Sequence, residues 1–246
     1  MKNLVFGLVA MVLFANLSFG QKLDASNSKN EFDNIGKAHN DGLAKIIENK
    51  ENVVLFKNDD FSFTMETLNE LEFKTEGFIN LSKNEKVNAE LGEVSFSNAS
   101  LTNEMIDDYY KKGYISADAQ TYLTEILSLV TSVSKGGDFN DFKNKMIGLE
   151  TKLDNLKGSD REFLLSVASI SRYSVAYWST YEISGVTNRG SIKNAAVADL
   201  AGAVGGGVRY GIGCLFAGPF GWGALGVACL ASGLGGSAAY GIRQLF

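Results

Sequence analysis

The final 52 residues of the chain, 195–246, constrain its fold more than any other feature. They hold 14 of the 27 glycines and the only proline, and they carry three charges, on Asp199, Arg209 and Arg243. Glycine costs about 1 kcal/mol per helical position relative to alanine, so helices form here only where close packing offsets that loss. The change in composition predicts two parts, a charged body at 21–194 and an apolar Gly/Ala-rich segment at 195–246.

Small residues recur at every fourth position along the Gly/Ala-rich segment. The pattern predicts two helices, about 195–216 and 222–243, joined by a turn at 218–221 that contains the proline. Small side chains at this spacing let two helix backbones approach closely, as in pairs of membrane helices. The residues expected to pack closely against a neighbouring helix are Gly202, Gly206, Gly207, Gly211, Ala228, Ser232 and Gly236.

The two cysteines, Cys214 and Cys229, flank the predicted turn at similar distances along the chain. Residues placed in this way on two antiparallel helices are expected to lie at similar heights. In an oxidising compartment such a pair can form a disulfide, and we predict a Cys214–Cys229 bridge. The alternative is two buried free thiols, because cysteine is among the most frequently buried residues.

The N-terminus, residues 1–20, has the pattern of a cleavable secretory signal peptide. Lys2 precedes an apolar stretch at 4–15, and small residues, Ser18 and Gly20, occupy the positions that a signal peptidase recognises. The apolar stretch is too short for a membrane span, which needs about 20 residues. We expect cleavage before Gln21 and a mature protein exported to the periplasm or cell envelope, with association with the membrane left open.

The charge balance argues against nucleic acid as a partner. Removal of 1–20 takes away one lysine, which leaves 22 basic and 28 acidic residues and a net charge of -6. An acidic chain without a basic cluster offers little attraction to phosphate groups. We therefore expect no nucleic-acid partner.

The body has the apolar periodicity of a helical bundle. The sequence predicts a loose polar lead-in at 21–30, and helices at 31–49, 101–112, 139–156 and about 160–182. A further helix is expected between an N-cap at Ser116 and the glycines at 136–137. The pattern at 53–100 is mixed and favours helix over strand. The predicted fold class is all-α, a helical bundle with a C-terminal Gly/Ala-rich helical hairpin.

The chain offers no constellation of catalytic or metal-binding residues. His39 is the only histidine, and it lies on the apolar stripe of its predicted helix beside Asn40. A structural role is the favoured interpretation of His39, with a functional role for His39 and Asn40 as the alternative. An aromatic group at Tyr173, Tyr177, Trp178 and Tyr181 is expected to pack in the core. We predict a non-enzymatic protein without a cofactor or a bound metal.

Three short motifs carry a resemblance to a family. Gly36-x-x-His39-Asn40-x-x-Leu43, Tyr114-Ile115-Ser116 and 171–178 resemble exported proteins of unknown function that are common in Bacteroidota. Those relatives often end in a similar Gly/Ala-rich segment, and the resemblance supplies no activity. The segment also resembles the glycine-rich parts of small membrane-active bacteriocins, from which this chain departs in its long body and in lacking a short double-glycine leader.

Two functional hypotheses follow. In the first, the hairpin at 195–246 associates with or perturbs membrane lipid, and it is also a possible site of self-association. In the second, the protein is a soluble periplasmic or secreted binding module whose C-terminal segment packs into its own core. Against insertion, a charge such as Arg209 costs about 2.5–3.5 kcal/mol at the centre of a bilayer.

Overall fold

A computed structural model of the chain describes residues 23–48, 66–70, 101–133, 138–183, 189–217 and 224–237. Throughout these ranges the regular structure is helical, which confirms the predicted all-α class. The seven longer helices are α1 (Asp33–Glu48), α2 (Asn103–Lys111), α3 (Ala117–Val133), α4 (Phe139–Leu153), α5 (Gly158–Ile183), α6 (Arg189–Ala217) and α7 (Ala224–Ser237). Residues 66–70 form a short helical segment. The predicted signal peptide, most of 53–100 and the turn at 218–221 lie outside the described residues.

Local hydrogen bonds explain where several helices begin. The Ser116 hydroxyl accepts a hydrogen bond of 3.0 Å from the amide of Ala119, so the predicted N-cap of α3 is confirmed. Asp138 caps α4 in the same way. Gly113, which follows α2, has a φ of 73°, a conformation that favours glycine. Each of these signals is local in sequence.

The C-terminal hairpin, α6 and α7, lies inside the bundle. α6 packs on α7, α5 and α3, while α7 packs on α1 and α5. Every residue from 195 to 208 is buried except Gly205, which is half-buried, and every residue from 228 to 236 is buried. The hairpin and the body share one hydrophobic core, and the compositional boundary at 195 falls within α6. Among the described residues, no helix has the combination of length and apolar character that a membrane crossing requires.

The predicted small-residue contact between the two hairpin helices is confirmed at three levels. A side chain added at Gly202 would overlap the main-chain carbonyl of Ser232, and one added at Gly206 would overlap that of Ala228. One added at Gly236 would overlap the carbonyl of Ala198. The absence of a side chain therefore sets the distance between α6 and α7.

Gly207, also predicted to pack against a helix, faces α5 rather than α7. A Cβ at Gly207 would overlap the ring of Phe163, which belongs to α5. Gly207 lies one position after Gly206, so the helical rotation of about 100° per residue turns it away from α7. Gly211 is part of α6, but its surroundings lie outside the described residues.

The predicted Cys214–Cys229 disulfide is not formed in the structure, where Cys229 carries a free, buried thiol. The register of the hairpin gives the physical reason. Because Gly206 faces Ala228, Cys229 lies level with Gly205 on α6. Cys214 follows nine residues later, about 13 Å along the helix, whereas the Cα atoms of a disulfide lie about 4.4–6.8 Å apart. The side chain of Cys214 lies outside the described residues.

Candidate functional site

The buried polar groups of the bundle form two connected clusters on the side of α5. The first surrounds Arg172 and joins the N-terminal segment at 23–32 to α1, α4 and α5. The second surrounds Asp199 and joins α1, α5 and α6. In the described part of the structure, hydrogen-bonded polar side chains are concentrated in these two clusters. We therefore take the two clusters as the candidate functional site.

The Arg172 cluster is built around a guanidinium group that is fully buried. Its Nε donates to Glu150 Oε1 at 3.0 Å, and its Nη2 donates to Asp33 Oδ1 at 2.6 Å. Its Nη1 donates to the main-chain carbonyl of Ala25. Two carboxylates and a carbonyl thus compensate one buried cation, which would otherwise be very unfavourable in the core.

The remaining lone pairs of Glu150 are satisfied by the N-terminal segment. Asn27 Nδ2 donates to Glu150 Oε2 at 2.6 Å, and Asn30 Nδ2 donates to Oε1 at 2.8 Å. The asparagines are themselves buried. The prediction of a loose lead-in at 21–30 is therefore wrong for its described residues, because the buried side chains of Asn27 and Asn30 anchor the segment to the core.

Two pKa shifts follow from this packing. Burial and the hydrogen bond to Asp33 raise the pKa of Tyr173, whose hydroxyl donates to Asp33 Oδ2 at 3.0 Å. Hydrogen bonds from the Ser26 hydroxyl and amide, with a further one from Lys143, lower the pKa of Asp24 to about 2. Tyr173 therefore stays a neutral hydrogen-bond donor, and Asp24 stays charged, across the physiological range.

The Asp199 cluster gathers side chains of α1 and α5 around one carboxylate of α6. Ser174 Oγ donates to Asp199 Oδ2 at 2.5 Å, and Trp178 Nε1 donates to the same oxygen at 2.8 Å. His39 Nε2 lies 3.6 Å from that oxygen, and both side chains are fully buried. His39 Nδ1 in turn lies 3.2 Å from Asn40 Oδ1. The cluster thereby ties the hairpin to α1 and α5.

The two clusters meet at Tyr173. Asn40 Nδ2 donates to the main-chain carbonyl of Tyr173 at 2.7 Å, while the Tyr173 side chain belongs to the Arg172 cluster. Close packing surrounds this junction, since a side chain added at Gly36 would overlap Ser169 of α5. The motif glycine and asparagine of α1 therefore face the 169–178 stretch of α5, while the motif histidine faces Asp199 of α6.

The Asp199 cluster contains a serine, a histidine and an aspartate, but not in the order that activates a nucleophile. In a catalytic triad the serine donates to the histidine, and the histidine is oriented by the aspartate. Here Ser174 donates directly to Asp199. The histidine therefore does not take the serine proton, and the arrangement holds a carboxylate rather than preparing Ser174 for attack.

A separate polar group lies between α5 and α7. Burial, with the nearby charge of Glu162, raises the pKa of the Cys229 thiol. Ser166, one turn from Glu162, is fully buried, and its hydroxyl has no hydrogen-bond partner. In the part of the chain that the structure describes, no group of three His, Cys, Asp or Glu side chains is arranged to hold a metal ion.

The sequence singled out His39 and Asn40, and the structure places both in the Asp199 cluster. It did not single out Asp199, Glu150 or Asp33. Asp199 had a usable signal, because a lone carboxylate in a stretch that is otherwise apolar must find donors once that stretch is buried. Glu150 gave no such signal in the sequence, since it is one of many charged residues along α4.

No protein-family model matches the chain, and no curated protein and no solved structure is significantly similar to it. The resemblance to exported Bacteroidota proteins therefore stays a prediction.

Proposed function

We propose that the protein is an exported, non-enzymatic binding module of the periplasm or cell envelope, and that its C-terminal hairpin serves as the core of the bundle. The observation that carries this proposal is the burial of the hairpin by the chain's own helices. From 195 to 208 and from 228 to 236, Gly205 alone is more than marginally accessible. Binding would then use the outer surfaces of α1 to α4, the helices that bury one face and expose the other.

The energetic balance supports a hairpin that stays in the bundle. Transfer of α6 to a bilayer would separate Asp199 from Ser174 and Trp178. A carboxylate at the bilayer centre costs about 2.5–3.5 kcal/mol on insertion scales. Glycine and alanine recover little of this, because burial contributes about 25 cal/mol per Å² of apolar surface. Departure of the hairpin would also expose the apolar face of α5.

The same packing bears on self-association through the hairpin. The small-residue face of α6 is occupied by α7 of the same chain at Gly202 and Gly206. A second copy could use that face only after the hairpin had opened. We therefore place any self-association on other surfaces.

The test measures whether the hairpin is the core or an appendage. The mature chain carrying Gly206→Leu is unfolded in urea, and the fluorescence of Trp178 is followed in a Trp222→Phe background. If the hairpin is the core, the substitution shifts the single transition of the whole bundle to lower urea. A transition of the body that is unchanged would contradict the proposal.

A second measurement addresses the membrane hypothesis directly. The mature protein is mixed with vesicles of phosphatidylcholine and phosphatidylglycerol, and flotation and dye release are recorded. We expect the protein to remain in the dense fraction and the dye to remain enclosed. Flotation with dye release, abolished by deletion of 195–246, would instead support a membrane-perturbing hairpin.

A further inference from the structure

The N-terminal segment at 23–32 contains neither helix nor strand, yet three of its residues are buried. Ala25, Asn27 and Asn30 are 3%, 8% and 4% exposed. The residues before and between them are exposed to solvent: Asp24, Ser26, Ser28 and Lys29. The segment therefore presents one set of side chains to the bundle and another to water, as an extended peptide does when it is bound along a protein surface.

The Arg172 cluster contacts the main chain of this segment in both of its polar functions. Arg172 Nη1 donates to the carbonyl of Ala25. Two residues later, the amide of Asn27 donates to Asp33 Oδ1 at 3.1 Å. One main-chain acceptor and one main-chain donor of the segment are thus matched by side chains of the bundle.

The cluster also contacts two side chains of the segment. The amide groups of Asn27 and Asn30 donate to the two oxygens of Glu150, at 2.6 and 2.8 Å. The Asn30 amide group donates in addition to the main-chain carbonyl of Leu165 at 3.0 Å. Contacts to side chains at fixed positions select a sequence, and the sequence selected here is a small residue followed by asparagine two and five positions later.

The groups that contact the segment are also held in place by one another. Arg172 donates directly to Glu150 at 3.0 Å and to Asp33 at 2.6 Å, and α5 packs directly on α1 and α4. The segment itself adds little apolar surface to the core. Ala25 is its one buried apolar residue, and its other apolar side chains are half-buried. Segments with few buried apolar contacts open locally before the whole protein unfolds.

The chemistry of the cluster selects a neutral ligand that both donates and accepts hydrogen bonds. Arg172 offers N–H donors, whereas Glu150, Asp33 and the carbonyl of Leu165 offer acceptors. A free anion fits poorly, because two carboxyl groups already face the guanidinium group. An amide group contains a donor and an acceptor, so a peptide with asparagine side chains satisfies both kinds of group.

We propose that the Arg172 cluster is a recognition site for an extended peptide, and that the N-terminal segment at 23–32 is its tethered ligand, which leaves the site without unfolding of the bundle. The site then accepts a separate peptide with the same pattern of a small residue and two asparagines. This inference depends neither on export nor on the position of the hairpin, so its failure would leave the proposed function untouched.

The first test opens the site by charge repulsion. Asn27→Asp with Asn30→Asp, made in the full mature chain, replaces two donors to Glu150 by carboxyl groups of the same size and should displace the segment. A fluorescent peptide with the wild-type sequence of residues 21–32 is added, and its anisotropy is recorded. We expect saturable binding to this opened variant. Binding to the wild type should be at least about tenfold weaker, because its own tethered segment competes at an effective concentration of about millimolar.

Two controls separate recognition from a general effect of charge. Ser28→Asp with Lys29→Gln changes the charge of the segment equally at exposed positions, and this chain should bind the peptide as weakly as the wild type does. A peptide that carries Asn27→Asp and Asn30→Asp should not bind the opened variant. Equal binding of the two peptides, or no binding of the wild-type peptide, would overturn the proposal. Loss of the helical bundle in the opened variant, seen by circular dichroism, would also overturn it, because the segment would then be part of the core.

The second test uses the unaltered mature chain. Hydrogen exchange of the Asn27 amide, which is bonded to Asp33, is compared with that of the Ile170 amide in the buried part of α5. We expect protection of Asn27 to be at least about tenfold lower and insensitive to low concentrations of urea, because local opening exposes little surface. Equal exchange rates with the same dependence on urea would show that the segment leaves only when the bundle unfolds, and would overturn the proposal.

Discussion

Gly206 lies directly against the main-chain carbonyl of Ala228, and Gly205, its neighbour on the same helix, has open space where a side chain would be. The two glycines therefore have opposite roles although they are adjacent in sequence. Gly206 is required by the approach of α6 to α7. Gly205 is half-buried and makes no such contact, so it contributes mainly the conformational freedom of its backbone.

This difference predicts opposite effects of alanine at the two positions. Gly206→Ala forces the hairpin helices apart and should destabilise the protein by about 1–3 kcal/mol, as overpacking of a core does. Gly205→Ala should be neutral or stabilise it by up to about 1 kcal/mol, the gain in helix propensity. Urea denaturation followed by circular dichroism measures both variants. Equal destabilisation by the two variants would contradict the close contact.

Two buried serines of α5 form a second matched pair. Ser174 donates to Asp199, whereas the hydroxyl of Ser166 has no partner. Ser174→Ala should cost about 1–3 kcal/mol, because it leaves a buried carboxylate short of a donor. Ser166→Ala should be neutral or stabilising, since it removes an unsatisfied group. Thermal unfolding of both variants tests this, and a large loss of stability in Ser166→Ala would show that its hydroxyl is bonded.

The buried arginine of α5, Arg172, and the partly exposed one, Arg161, should differ in the same assay. Arg172→Met removes the cation that compensates Glu150 and Asp33, and breaking a buried pair in this way costs about 3–5 kcal/mol. Arg161→Met removes a partly exposed pair with Asp154, which should cost at most about 1 kcal/mol. Similar losses in the two variants would mean that the Arg172 cluster is accessible to water.

The cysteines give a chemical test of the hairpin register. Because Cys229 is a free thiol whose pKa is raised by burial, it should not react with a maleimide in the folded protein near neutral pH. The measurement uses a Cys214→Ser background and intact mass, with the urea-unfolded chain as the positive control. In the wild type, denaturation without a reductant should give two alkylated thiols. A chain that takes up no label under those conditions would contain the disulfide.

Much of the fold could be predicted because its signals are local. Ser116 and Gly113 mark helix ends within a few residues, and the alternation of apolar residues in α4 identifies its buried face. The stripe containing Gly202 and Gly206 predicted the hairpin contact for the same reason. The disulfide prediction failed because the alignment of α6 against α7 is set by the small residues that meet between them. The position of the turn midway between the two cysteines does not determine that alignment.

The candidate site was less predictable because its partners are distant in sequence. Asn27 bonds to Glu150 across 123 positions, and Ser174 bonds to Asp199 across 25. A polar residue at a helical position gives no indication of such a partner, and the lead-in at 23–30 has the composition of an exposed loop. Only the folded structure shows that Asn27 and Asn30 of this lead-in donate hydrogen bonds to the buried Glu150.

The position of the hairpin also determines when folding can finish. A chain is synthesised from its N-terminus, yet Ala25 accepts its hydrogen bond from Arg172, 147 positions later. Gly42 of α1 meets Leu234 of α7, which is later still. Contacts of such long range form late, because a large loop must close first. α1 must therefore wait for α7, and the core cannot close until nearly all of the chain has been made.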